Sequence, residues 1–167
     1  MGFGKAFALS LVAFIGLNFG LVIIIEAIGG TIGEFFTNLA DMGNLSTALF
    51  GPIATYPGIV ATAMLTMLLT DAVPFDLEIL LGLIFYIVAP LLASILAGRL
   101  GENRAQCFGA WFLVAMVSMG GYLTLTLIVG VTADLLMITI AGVILSGVIN
   151  GFFYGCFALL VARSEFY

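Results

Sequence analysis

Apolar residues run along this chain in long unbroken blocks, not in strand-like alternation or the narrow stripe of a surface helix. Five blocks, 7–29, 46–70, 77–98, 106–131 and 136–162, reach the length that crosses a bilayer, which is roughly 20 residues. Hydrocarbon tolerates no unpaired backbone polar groups, so blocks without dyad alternation predict helices. Between the first two, the segment 31–44 sets Phe35, Phe36, Leu39 and Met42 against Glu34, Asn38 and Asp41. That spacing is helical but too polar to span, and it predicts a short interfacial helix. The expected fold is all-α: one polytopic transmembrane helical bundle over 1–167, with about five spanning helices.

Punctuation inside the blocks refines the picture. Pro52 and Pro57 sit close together in the second block, and each removes a helix hydrogen bond, so this span is expected to kink. Pro90 interrupts the third. Asp76 stands where it can cap the third helix, with Glu78 in the first turn favouring the helix dipole. Thr132 and Asp134 predict a second acidic cap before the last block. Trp111, the single tryptophan, lies about a turn into the fourth block, the usual level of an interfacial aromatic belt.

Small residues mark expected contact faces. Gly16 and Gly20 form one G-x-x-x-G, Ala89, Ala93 and Ala97 a stripe, and Gly147, Gly151 and Gly155 a double G-x-x-x-G. Such faces let backbones approach closely where lipid supplies no hydrophobic drive between helices.

Composition excludes much chemistry. Hydrophobic residues make up 63%, charged residues 8%, and the mean hydropathy is +1.32. With no histidine, haem and zinc sites built on His and the Ser-His-Asp or Cys-His pairs are ruled out within the chain. Cys107 and Cys156 form no Cys-x-x-Cys motif and read as buried small hydrophobes. Four dispersed Lys/Arg residues and a net charge of −5 make no polybasic patch for nucleic acid. No catalytic, metal or cofactor set is expected; the expected partners are membrane lipids, bound lipid included, and other membrane subunits of the same or another chain.

Arg99, Arg104 and Arg163 dominate the positive-inside count. With five spans the termini fall on opposite sides, and the rule then puts the C-terminus in the cytoplasm and the N-terminus, with Lys5, outside. The acidic residues Asp71, Asp76, Glu78 and Asp134 then share the outer face. A cell (plasma) membrane is the expected location.

Glu26 is the one carboxylate inside an apolar block, with Asn18 two turns before it on a similar face and Asn150 in the last block. Two readings of these residues stand. One is a polar or ion-binding midplane site of a small transporter or channel. The other places Glu26 at headgroup level and makes both asparagines interhelical glue. Together with the small-residue faces, the second reading yields a non-catalytic subunit of a larger membrane complex. An intramembrane enzyme fits least, because Glu26 has no acidic partner within a span.

Overall fold

The computed structural model describes residues 2–70 and 75–162, with backbone alone at 133 and 134. Every element among them is helical: α1 (Phe3–Gly29), α2 (Ile32–Asn38), α3 (Met42–Ala54), α4 (Pro57–Leu69), α5 (Leu77–Leu100), α6 (Arg104–Val129) and α7 (Ala133–Val161). Four of these, α1, α5, α6 and α7, are long and apolar enough to cross a membrane. The second predicted span is instead two helices, α3 and α4, bent by 96°. Counted as one span, the pair brings the total to five.

Local chemistry explains the ends. Gly30 closes α1 at φ 76°, a left-handed conformation suited to glycine, and its N–H donates to the Glu26 carbonyl. Asp76 caps α5 as predicted, its Oδ1 accepting from Glu78 N at 2.8 Å and Ile79 N at 3.1 Å. Asn103 caps α6 by accepting from Gln106 N at 2.9 Å. The interfacial helix is shorter than expected. Asp41, predicted inside it, accepts from Gly43 N and Asn44 N and so starts α3, which leaves α2 only seven residues. Asp71, Arg163 and the Asp134 side chain lie outside the described residues.

Helix directions follow from contacts at the ends. Gly29, the last residue of α1, lies against the Glu78 carboxylate in the first turn of α5. Phe3 reaches Gly109 near the start of α6, and Gly98 near the end of α5 meets Ala158 and Val161 at the end of α7. One end of the bundle therefore holds the start of α1, the α5–α6 turn and the end of α7. The other holds the α1–α2 turn, the start of α3 (Gly43 faces Val129) and the start of α5. Lys5, Arg99 and Arg104, with Glu102 among them, belong to the first, or basic, end; Glu26, Glu34, Asp41, Asp76 and Glu78 belong to the second, or acidic, end. α3 and α5 both start at the acidic end, and the 96° break makes the α3–α4 pair either a broken span or a re-entrant loop.

The small-residue faces separate into two kinds. Ala89, Ala93 and Ala97 are fully buried. A Cβ on Gly147, Gly151 or Gly155 would come within 2.5–2.8 Å of Met119, Phe112 or Phe108, so this stripe is filled by α6 of the same chain. Gly16 and Gly20 have nothing of the chain within 4 Å of such a Cβ. Of the two thiols, Cys107 is buried and its Sγ donates to the Gly98 carbonyl at 3.2 Å. Cys156 is exposed, contrary to expectation, because it lies on the lipid side of α7.

Candidate functional site

Pro52 interrupts α3 and Pro57 opens α4, and each proline withdraws one backbone N–H from the chain's own helix ladder. In an α-helix the residue at i donates to the carbonyl at i−4. Pro52 thus strips the donor from the Ala48 carbonyl, and Pro57 strips it from Ile53. Tyr56, directly before Pro57, is extended at φ −78° and ψ 150°, as clash with the pyrrolidine ring requires. Thr55 is extended as well, so α3 stops inside the bundle with its last carbonyls free.

Two asparagines on other helices supply the missing donors. Asn18 Nδ2, on α1, donates to the Ala48 carbonyl at 2.7 Å and to Thr47 at 3.3 Å. Asn150 Nδ2, on α7, donates to Pro52, Ile53 and Thr55 carbonyls at 3.2, 3.1 and 3.1 Å. Both side chains are buried. Carbonyls left unpaired in a water-free interior are costly, which is why a break at this depth needs a dedicated donor. Asn150 is itself held: Trp111 Nε1 donates to its backbone carbonyl at 3.3 Å.

Trp111 is fully buried, so the interfacial belt position expected from its place in α6 is not realised. Packing against α1 and α7 turns it inward. It meets Phe14 of α1 and Tyr154 of α7 edge-to-face, with ring centroids 6.1 and 6.0 Å away. On the basic side of this aromatic layer the core narrows to Ala6, Ala97, Ala110 and Ala158, all fully buried.

At the acidic end a cavity of about 420 Å³ has Glu26, Glu34, Glu78, Thr31, Asn38 and Asn44 in its wall. Thr31 Oγ1 donates to Glu26 Oε2 at 2.6 Å and orients that carboxylate. Glu26 lies in the last turn of α1, half-buried, and not at the middle of the span. Thr47 and Ala48, whose carbonyls Asn18 holds, also line the cavity. The structure therefore brings Glu26 and Asn18 to one region, while Asn150 stands further along α3. Among the described residues no group of three or more carboxylates or thiols is close enough to bind a metal ion. A second, apolar groove of about 760 Å³ runs between α4 and the first turns of α5, past Ile59, Met67, Ile79 and Leu83.

The sequence predicted a kink here, but not a break of 96°. Its signal was present in two prolines five residues apart with a polar amide in each of two other apolar blocks. No protein-family model, no curated protein and no solved structure matches the chain.

Proposed function

We propose that this integral membrane protein passes small cations through its core, entering at the acidic cavity and moving along α3. One observation carries the reading: a half-helix ends at the centre of the bundle, its C-terminal carbonyls exposed to the interior and held by buried asparagines. A broken helix at membrane depth is tolerated where it is enclosed by protein or lines a polar path. Carbonyls at such a break, with the negative end of the helix dipole, favour cations. Three carboxylates at the mouth, and basic residues at the opposite end, add the same sign of field. The aromatic layer of Phe14, Trp111 and Tyr154 is the barrier on the basic side.

Purified protein in liposomes tests this. Electrogenic uptake of monovalent cations above that of protein-free vesicles is expected, with Glu26→Gln and Glu78→Gln each reducing it several-fold. Uptake no greater than in empty vesicles for every cation tried would end the proposal.

The same reading changes the expected side of the N-terminus alone. With α3–α4 taken as re-entrant there are four full spans, and the start of α1 and the end of α7 share the basic end. Lys5, Arg99 and Arg104 then lie on one side, with Arg163 following the last helix, so the positive-inside rule places both termini in the cytoplasm. Reporter fusions at the two termini should both report cytoplasm, in place of an outside N-terminus.

A second reading, a packing subunit of a larger complex, is favoured by one feature: the uncovered Gly16/Gly20 face of α1. Native mass spectrometry from gently extracted membrane tests it, since a subunit brings different chains with it.

A further inference from the structure

We infer that the apolar groove between α4 and α5 holds an acyl chain of a phospholipid whose headgroup is zwitterionic and not anionic. The groove is separate from the acidic cavity. Glu78 lines that cavity, whereas the neighbouring Ile79, with Leu83 a turn later, lines the groove. The opposite wall is one face of α4, in which Ile59, Ala63 and Met67 recur four residues apart. Thr62 and Thr66 share this wall, and Thr62 satisfies its hydroxyl by donating to the Gly58 carbonyl at 2.9 Å.

Size and surface decide what fits. The groove measures about 760 Å³, within the roughly 300–1,000 Å³ of ligand sites. Water finds few partners on such a wall, and an apolar cavity stays dry. Left empty, the lining would forfeit its packing contacts. A partner helix is too thick, since two turns, about 11 Å long and 10–12 Å across, fill roughly 850–1,200 Å³. A flexible hydrocarbon chain conforms to the space. Ile59 and Ile79 are each about half exposed, which leaves the groove open to the surrounding lipid.

Charge decides the headgroup. Ile79 and Leu83 lie in the first two turns of α5, so the groove sits in the leaflet at the acidic end. Asp76, three residues before Ile79, is exposed and makes both its capping contacts through Oδ1. Glu78 follows in the first turn of α5. The last turn of α4 carries no basic residue and adds the negative end of its helix dipole. Among the described residues every Lys and Arg (Lys5, Arg99 and Arg104) stands at the opposite end. An anionic head would meet like charge and no cation, whereas the ammonium of a zwitterionic head meets a carboxylate.

The test uses the full chain in detergent, with thermal unfolding followed as phosphatidylcholine or phosphatidylglycerol of identical acyl chains is added. Phosphatidylcholine is expected to raise the unfolding temperature saturably by a few degrees, and phosphatidylglycerol by clearly less. Ala63→Phe fills the groove and should abolish the phosphatidylcholine shift. Leu65→Phe, at an exposed position of α4 outside the groove, should keep it. Asp76→Asn retains a capping oxygen but removes the charge, so the two lipids should then differ less. Equal shifts from both lipids on the unaltered protein would overturn the inference, as would a phosphatidylcholine shift that survives Ala63→Phe; either leaves only a general lipid coat. No shift from either lipid would also overturn it. Should Ala63→Phe fail to fold, the two-lipid comparison and Asp76→Asn still decide.

Discussion

The two halves of the broken second block, α3 and α4, have equal length and opposite fates. α3 carries Ser46, Gly51 and Pro52 and buries all three, along with Ala48 and Ile53. α4 is the more uniformly apolar, yet it buries only Val60 and Met67 and turns Ile59, Leu65, Leu68 and Leu69 outward. In water the order would be reversed. Lipid is as apolar as leucine, so hydrophobicity confers no preference for the interior. What draws a helix inside a membrane bundle is small residues that allow close approach and polar groups that must find partners. α3 has both, and its carbonyls are claimed from α1 and α7.

This contrast can be broken most severely at Asn150. Asn150→Leu removes the donor from three carbonyls at once, and we expect a loss of roughly 2–4 kcal/mol, read by reversible unfolding in mixed micelles. Stability within experimental error of the unaltered protein would show that the break needs no support from α7. Next comes overpacking of the α6–α7 seam. Gly151→Leu forces a side chain toward Phe112 and should destabilise by about 1–3 kcal/mol, while Gly16→Leu leaves the monomer unchanged.

A smaller effect sharpens the comparison further. Asn18→Leu should cost about 1 kcal/mol. Pro52→Ala restores the N–H that Ala48 lacks, so the double variant should recover much of the Asn18→Leu loss. Additive losses in that cycle would mean that Asn18 and Pro52 act independently. The smallest expected change is in α4, where Leu65→Ala and Leu68→Ala should move stability by no more than a few tenths of a kcal/mol. A large loss at either would place α4 against protein and not lipid.

Much of this was legible in one dimension. The apolar blocks marked the four long helices to within a few residues at most ends, and Asp76 was recognisable as a cap because capping is a contact between residues two and three apart. The prolines announced a disturbance near 52–57 but not its size. A mild kink and a 96° turn remove the same backbone hydrogen bonds, and only the partners of the freed carbonyls distinguish them. Glu26 was legible as an ionisable group near a helix end; that Glu34 and Glu78 share its cavity depends on how α2 and α5 return to that end.

The sequence by itself determined the membrane class, the all-helical fold and the positions of the turns, since hydropathy, capping and proline chemistry act within a few residues. Tertiary structure decided that α3 stops at the centre of the bundle and that its donors come from Asn18 and Asn150. It also decided that the α7 glycines pack on α6 while Gly16 and Gly20 stay uncovered, and that the described basic residues gather at one end. These are choices among partners 29 to 98 positions apart along the chain. In lipid they are settled by the fit of backbones and the geometry of single hydrogen bonds, which a hydropathy pattern does not carry.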